Sequence, residues 1–194
     1  MNNFLKRFIV LAPSIVLASC ISNFFGDGPP KIIKKAPTKD AIPRSEPPSQ
    51  YGNGDKNGYY EVRGKRYKVM PSAGNYSATG IASWYGTKFH GRYTSNREIY
   101  NIYAMTAAHK SLPLPTYLEV TNLENNKKVI VRVNDRGPFV DDRLIDLSYA
   151  AALKLDVVKN GTAKVKVKTV TEQNYSQNEV INSISFIQIG VFEK

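Results

Sequence analysis

Residues 129–148 read VIVRVNDRGPFVDDRLIDLS, and this stretch decides the fold. Over 129–133 every second residue is valine, the pattern of a β-strand with one buried face. A turn with glycine and proline follows, and two aspartates, Asp135 and Asp146, stand eleven positions apart around it. Together with residues 80–94, GIASWYGTKFHGRYT, the segment sets charged and aromatic residues beside glycines. This combination is typical of a sugar-binding or sugar-cleaving groove on a β scaffold.

The same periodicity predicts a small barrel over residues 79–170. One helix is predicted over Tyr149–Leu155, with Ser148 as its N-cap and Asp146 near its positive end. Short strands, one helix and glycine-rich turns favour a mainly β, six-stranded closed β-barrel. The predicted strands cover 79–85, 105–108, 116–123, 128–134, 144–145 and 163–168.

A hairpin is predicted before the barrel, within residues 58–78. Tyrosines and valines alternate with polar residues on both sides of Arg63-Gly64-Lys65, a pattern typical of two antiparallel strands and a tight turn. A lone hairpin is marginally stable in water, so we expect this one to pack on the barrel.

The N-terminus predicts export and a lipid anchor. Residues 1–19 carry Lys6-Arg7 and then a mostly apolar run that is too short to span a bilayer, as in a secretory signal. The run ends in Leu17-Ala18-Ser19-Cys20, which resembles a bacterial lipobox with Cys20 as the lipidated residue. Two or more acyl chains on Cys20 would anchor the protein stably to a membrane. Residue 21 is Ile rather than Asp, and the sorting rules of the lipoproteins that this lipobox resembles then imply the outer membrane, with the protein facing the periplasm.

The next segment, residues 20–57, is rich in proline and lysine, and we expect it to be a disordered tether. The chain has a net charge of +11, which favours acidic polymers as partners. An exported protein seldom meets DNA, so we expect no nucleic-acid partner. Cys20 is the only cysteine, which excludes an intramolecular disulfide and thiolate metal sites.

Several uninterrupted motifs carry a family resemblance: GIASWYG, FHGRYTSNREIYN, TAAHKSLPLPTYLEVTNLENNKKVIVRVNDRGPF and RLIDLSYAAALKL. They closely resemble the rare lipoprotein A family over residues 79–170. The resemblance implies a double-psi β-barrel and endolytic lytic transglycosylase activity on peptidoglycan. Such an enzyme cleaves between N-acetylmuramic acid and N-acetylglucosamine, forms a 1,6-anhydro end, and acts on glycan free of peptides. Peptidoglycan strands and division-site proteins are the implied partners.

The chemistry predicts few catalytic groups. The leaving oxygen needs one carboxylic acid with a raised pKa, and the nucleophile belongs to the substrate. Asp146 lies between two aliphatic residues, which would raise its pKa by desolvation, although it could instead cap the helix. Asp135 follows a strand and could be a structural turn residue. The resemblance assigns catalytic roles to both aspartates, to Glu98 and to His109, for which a solvated charge and a structural histidine are the alternatives.

The resemblance further implies substrate binding by Tyr85, Thr94, Asn134 and Arg136. Trp84 and Tyr85 could each stack on a sugar or fill the core, and Tyr85 is favoured for the groove. No cofactor is expected. A metal site is not supported, because His90 and His109 have no ligand spacing and no cysteine partner.

Two departures from the family leave the activity open. Arg97 replaces a glycine that tolerates a positive φ, and Asn101 replaces a carboxyl residue that has been grouped with the active site. Residues 171–194 predict a polar linker and then, at 185–192, the first strand of a truncated sporulation-related (SPOR) domain. An enzyme and a non-catalytic glycan-binding or division-site scaffold lipoprotein therefore both remain candidates.

Overall fold

The computed structural model describes residues 28–31, 39–140 and 142–177. These residues form eight β-strands, the α-helix α1, a 3-10 helix at Thr87–Phe89 and a further helical segment at 172–177. The strands are β1 Tyr59–Val62, β2 Lys65–Lys68, β3 Ser77–Tyr85, β4 Thr106–His109, β5 Thr116–Asn122, β6 Lys128–Asp135, β7 Arg143–Ser148 and β8 Thr162–Thr169, and α1 is Tyr149–Lys154.

Strands β3 to β8 close into a barrel in the order β3-β7-β4-β6-β5-β8. Two neighbouring pairs, β3–β7 and β4–β6, are parallel, and the other pairs are antiparallel. The predicted mainly β, six-stranded barrel is thereby confirmed. The largest difference is β7, which spans Arg143–Ser148 rather than the two predicted residues.

The core lies inside the barrel and follows the alternation in the sequence. Val129, Val131 and Val133 of β6 point inward and are almost fully buried. On β8, Val165 and Val167 are buried, and the lysines between them are exposed. Each such side chain contributes about 1.5–3 kcal/mol through its removal from water.

Helix α1 begins where the sequence predicts. The Ser148 side chain accepts a hydrogen bond from the backbone N–H of Ala151, as an N-cap does, and its hydroxyl donates to the carbonyl of Ala104 at 2.6 Å. These two bonds fix the end of β7 and the start of the helix together. Ser148, not Asp146, therefore caps α1.

The hairpin β1–β2 packs on the barrel through aromatic rings. Its turn, Arg63-Gly64, has positive φ at both residues, 52° and 75°, as a two-residue hairpin turn of type I′ requires. Tyr60 stacks on Tyr67 with ring centroids 5.3 Å apart, and both rings contact Phe139. The Tyr60 hydroxyl also donates to the carbonyl of Lys110 at 2.6 Å. The hairpin is therefore held in a defined orientation.

Residues 39–57, here called the strap, differ from the predicted disordered tether. The backbone N–H of Ala41 donates to the carbonyl of Ile130, and that of Ser49 donates to the carbonyl of Leu114. Glu46 and Asp40 accept hydrogen bonds from barrel residues. The part of the predicted tether that the structure describes thus lies against the barrel, because its polar groups find partners there.

Other terminal predictions fall partly outside the described residues. Residues 172–177, predicted as linker, are helical. The predicted signal segment 1–19, Cys20 and the SPOR-like strand at 185–192 lie outside the described residues. Within the part of the chain that the structure describes, no helix has the length and apolar character needed to cross a membrane.

We predict that Gly80→Ala destabilises the barrel. A Cβ at Gly80 would lie 2.8 Å from the Cβ of Leu144, so the parallel strands β3 and β7 would have to separate. Overpacking of this kind costs about 1–3 kcal/mol, which thermal unfolding will detect. Gly74→Ala is the control, since its Cβ would meet only the Ser72 hydroxyl at 3.4 Å. Equal melting temperatures for both variants would contradict the prediction.

Candidate active site

Strand β4 brings the two aspartates to one face of the barrel. Ala108 of β4 pairs with Asp146 of β7 on one side and with Asp135 of β6 on the other. The two acids are thus separated by two strand spacings, about 10 Å between their backbones. The small side chain of Ala108 leaves space between them.

A bulge makes this arrangement possible. Ala107 pairs with Val133 and Ala108 pairs with Asp135, so Asn134 is an extra residue in β6. Without the bulge, Asp135 would share the inward face of Val133, because side chains alternate along a strand. The extra residue moves Asp135 to the outer face, beside Ala108.

A cleft of about 270 Å³ lies over this face. Tyr85 and the partly exposed ring of Phe89 form an aromatic wall, and the two rings meet edge to face at 6.0 Å. Arg63 reaches the cleft from the hairpin turn. The remaining lining residues are Ala108, Asp135, Arg136, Gly137, Pro138, Phe139, Val140 and Asp146.

Asp146 has the environment of a proton donor. Burial raises the pKa of its carboxyl, and this effect outweighs the hydrogen bond from the Ser83 hydroxyl to Oδ1 and the nearby charge of Arg143. The predicted desolvation of Asp146 is therefore present. An acid with a raised pKa keeps its proton at a pH where ordinary carboxyls have lost theirs.

Asp135 is oriented from one side only. Its Oδ1 accepts three hydrogen bonds, from the backbone N–H of Ser95 at 2.8 Å, the Ser95 hydroxyl at 2.6 Å and the backbone N–H of Arg136 at 2.7 Å. Among the described residues, no donor bonds to Oδ2. The second oxygen is thus available to a ligand in the cleft.

Glu98 does not line the cleft. Its carboxylate accepts from Arg132 Nη1 at 2.7 and 2.8 Å, from Asn134 Nδ2 at 2.8 Å and from Asn96 Nδ2 at 2.8 Å. Burial opposes its ionisation, but the bonds from Asn134 and Arg132 prevail and hold the pKa of Glu98 below its ordinary value. Glu98 in this state is a poor proton donor.

His109 is buried and also does not line the cleft. Its Nδ1 accepts from the backbone N–H groups of Ser111 and Leu112 at 3.2 and 3.1 Å, which assigns the ring proton to Nε2, 3.1 Å from the Tyr76 hydroxyl. Burial, with the nearby charge of Arg136, lowers its pKa to about 4. These contacts are those of a neutral ring that closes a turn.

Of the four predicted substrate-binding residues, Tyr85 and Arg136 line the cleft. The Tyr85 ring is mostly buried and packs at a tilt against Tyr100, with ring centroids 4.3 Å apart, so only part of it faces a ligand. Thr94 and Asn134 are buried and hydrogen-bond within the loop that carries Glu98. These two residues therefore shape the site rather than contact the cleft.

The guanidinium of Arg136 is engaged in structural bonds. It donates to the carbonyls of Gly52 at 2.6 Å, His109 at 3.1 Å and Leu112 at 2.5 Å, and to Asn53 Oδ1 at 3.1 Å. Burial lowers its pKa to about 10, which leaves it charged at neutral pH. Arg136 thus joins the strap and the His109 turn to the strand end that carries Asp135.

Three polar residues at the site were not among the predicted site residues. Arg63 lines the cleft, Ser83 bonds to Asp146, and Ser95 bonds to Asp135. The only sequence signal for Ser83 is its place in β3 between Ala82 and Trp84, which sets it on the outer face of a strand. Trp84 itself packs edge to face against Tyr149 at 5.7 Å and does not line the cleft.

Comparison with known proteins agrees with the geometry. Residues 77–167 match the family model described as lytic transglycolase. A Vibrio cholerae protein named endolytic peptidoglycan transglycosylase RlpA is 55% identical over 133 residues, which are 69% of this chain and 49% of that protein. The barrel belongs to the rare lipoprotein A family.

Two further relatives carry the same name. The Pseudomonas aeruginosa protein is 58% identical over 123 residues, 63% of this chain and 36% of its own length. The Campylobacter jejuni protein is 47% identical over 145 residues, 74% of this chain and 53% of its own length. The chain thus spans about half, or less, of the length of these rare lipoprotein A relatives.

Both departures from the family pattern lie in the loop that carries Glu98 or just after it. Arg97 has φ 68°, the left-handed conformation that glycine adopts at lower cost, and its guanidinium lies 5.2 Å from the Tyr51 ring of the strap. The Asn101 side chain accepts from the backbone N–H of Tyr103 at 3.0 Å in a turn, and it does not line the cleft. The aspartates of the cleft are therefore not contacted by either replaced side chain.

We predict that His109 makes the protein less stable in mild acid. Its pKa falls from an ordinary 6.5 to about 4, so the unfolded chain binds a proton that the folded protein excludes between these values. This contribution is complete above pH 6.5 and is lost as the pH falls towards 4, to roughly 3 kcal/mol in all. Urea unfolding of wild type and His109→Asn across this range measures it. An equally steep decline in both proteins would contradict the assignment.

Proposed function

We propose that this protein is an endolytic lytic transglycosylase that cleaves the peptidoglycan glycan between N-acetylmuramic acid and N-acetylglucosamine. The observation that carries the proposal is Asp146, a partly buried carboxyl of raised pKa that shares a cleft with Asp135. Relatives of the same barrel family are named endolytic peptidoglycan transglycosylases.

The two aspartates suffice for the reaction. Protonated Asp146 donates its proton to the glycosidic oxygen, and the bond from that oxygen to C1 of the muramic acid breaks with both electrons going to the oxygen. The C6 hydroxyl of the same sugar attacks C1 and forms the 1,6-anhydro ring. The free oxygen of Asp135 accepts the hydroxyl proton, so the two carboxyl groups exchange protonation states over one turnover.

The cleft also favours the internal hydroxyl over water. Tyr85, Phe89 and Phe139 place aromatic surface around the carboxyl groups, and a sugar ring stacked there would displace solvent. In this mechanism Glu98 and His109 do not touch the reacting atoms. Glu98 adds negative charge near the end of β6. His109 stabilises the turn whose carbonyl groups accept hydrogen bonds from Arg136.

A second candidate function is a non-catalytic glycan-binding scaffold. The observation that favours it is Asn101, an amide where the family has a carboxyl residue. Because Asn101 does not line the cleft and both cleft aspartates are present, the enzyme is the better supported of the two.

Arg63 supports peptide-free glycan as the substrate. Muramic acid without a peptide carries a free lactyl carboxylate, whereas an attached peptide converts this group to an amide. The Asp135 carboxylate in the cleft would repel the free lactyl carboxylate, and Arg63, which makes no ion pair among the described residues, lies where it can offset that repulsion. The hairpin turn is thus proposed to favour the free acid.

The cellular location is proposed from the sequence. Lipidation at Cys20 would tether the barrel to the outer membrane on the periplasmic side, where peptidoglycan and division-site proteins are accessible. The basic mature chain agrees with an acidic cell-wall polymer as its ligand.

For activity, we expect the full chain to release 1,6-anhydro glycans from sacculi that have been stripped of peptides. Asp146→Asn and Asp135→Asn each remove a group that transfers a proton, and each should lower kcat by about 10²- to 10⁴-fold with an unchanged circular dichroism spectrum. Wild-type activity should fall as the pH rises through the raised pKa of Asp146, because the acid must be protonated. Mass spectrometry of the products is the measurement. Reducing ends without an anhydro ring would overturn the mechanism, and no products at all would favour the scaffold.

For specificity, we expect Arg63→Asn to lose the preference for free lactyl carboxylates. Asparagine suits the positive φ of this turn, so the hairpin should persist while the charge is removed. The substrates are peptide-free glycan and the same glycan with its carboxylates capped as methylamides. The control is Arg66→Gln on the same hairpin, where the guanidinium stacks on Tyr59 at 4.0 Å and does not line the cleft. A preference that survives in Arg63→Asn would exclude this role.

A further inference from the structure

The strap contributes a side chain to the network around Glu98. Arg132 of β6 binds two carboxylates at once. Its Nε and Nη2 donate to Glu46 Oε1 and Oε2, both at 2.8 Å, and its Nη1 donates to both oxygens of Glu98 at 2.7 and 2.8 Å. The two-point edge of the guanidinium, which matches a carboxylate best, is therefore occupied by the strap.

This network is shielded and fixed. The side chains of Arg132 and Glu46 are each 16% exposed, and Glu98 is 40% exposed. Tyr117 donates a hydrogen bond to Glu46 Oε1 at 2.5 Å. The bonds from Arg132 lower the pKa of Glu46 to about 2 despite its burial, so Glu46 is ionised at every pH at which the protein is expected to work.

The loop that carries Glu98 is bonded to Asp135 of the cleft. Asn134, the extra residue of the bulge, donates to Glu98 Oε2, and the next residue is Asp135. Ser95, three positions before Glu98, provides two of the three hydrogen bonds to Asp135. A displacement of Glu98 is therefore transmitted to the orientation of Asp135 through two short connections.

We propose that Glu46 is a positioning residue for the active site. By occupying the Nε–Nη2 edge of Arg132, it leaves only Nη1 for Glu98 and keeps the Glu98 carboxylate within reach of Asn134. Without Glu46, the open edge of Arg132 turns to Glu98, forms a two-point pair with it, and draws it away from Asn134. The proposal rests on the proposed function, since it concerns the same cleft, and it makes the strap part of the enzyme.

The strap offers a matched control. Asp40 lies in the same segment, accepts from the backbone N–H of Ile130 at 2.8 Å and pairs with Lys154. It holds the strap on the barrel without contacting Arg132. Asp40→Asn thus removes one strap carboxylate and tests attachment alone, whereas Glu46→Gln removes the carboxylate that holds Arg132.

The first experiment measures kcat and KM of the full chain on peptide-free glycan. We expect Glu46→Gln to lower kcat by about 10- to 100-fold with little change in KM, and Asp40→Asn to stay within about twofold of wild type. In a Glu98→Gln background, adding Glu46→Gln should have almost no further effect, because the two residues act through one contact. Equal losses in the two strap variants, or full additivity with Glu98→Gln, would overturn the proposal.

The second experiment does not depend on catalysis. The carboxyl carbon of Glu98 is followed by NMR as the pH is varied. Glu46→Gln gives Glu98 both edges of Arg132, which lowers the pKa of Glu98, and breaks its bond from Asn134, which raises that pKa. The change of partners should therefore move the Glu98 carboxyl signal, whereas Asp40→Asn should leave it unchanged. An unmoved Glu98 signal in Glu46→Gln overturns the positioning role even if the protein cleaves glycan. If the signal moves but the protein releases no anhydro products, the proposed function is refuted, while the control of Glu98 by Glu46 through Arg132 is supported.

Discussion

The pairing of β4 between β6 and β7 is the constraint on which the site depends. β4 runs parallel to β6 and antiparallel to β7, so a single residue, Ala108, has an aspartate beside it on each side. Residues eleven positions apart in sequence thereby become neighbours in space. A closed barrel holds this pairing rigidly, because none of the three strands has a free edge along which it can slip.

Arg136 extends that constraint to the segments around the barrel. Its guanidinium bonds to the strap at Gly52 and Asn53 and to the turn at His109 and Leu112. A buried guanidinium destabilises the fold when its N–H groups lack partners. The carbonyls that accept from Arg136 must therefore all keep their positions. The end of β6, with Asp135, is fixed by the same residue that fixes the strap.

The sequence predicts the parts of this structure that follow from alternation. Asp146 lies between the inward-facing Ile145 and Leu147, so its outer position and its desolvation could both be predicted. Asp135 could not be placed in the same way, since a period of two puts it in the core and only the bulge at Asn134 reverses its direction. Bulges follow from strand pairing, which a local pattern does not contain.

The strap could not be predicted for a different reason. Its proline and lysine content is typical of a free tether, and it has few apolar residues from which docking could be inferred. Its attachment depends on single polar contacts, such as Glu46 with Arg132, that are distant in sequence. The structural role of His109 could not be predicted either. Its Nδ1 accepts hydrogen bonds from backbone N–H groups of a turn that forms only in the folded protein.

The charges that would attract an acidic polymer and the charges that act within the cleft lie on different sides of the barrel. The exposed lysines of β8, Lys164, Lys166 and Lys168, lie across the barrel from β4 and hence from the cleft. Opposite walls of the barrel are about 10 Å or more apart, comparable to the screening length at 0.1 M salt, so these lysines draw an acidic polymer to the molecule without setting the field in the cleft. That field is set locally by Asp135, Arg136 and Arg63, while Asp146 holds its proton. In the proposed function, a carboxylate on the glycan would be attracted by the whole protein and would then meet the like charge of Asp135 at the cleft, together with Arg63, whose position depends on the docked hairpin.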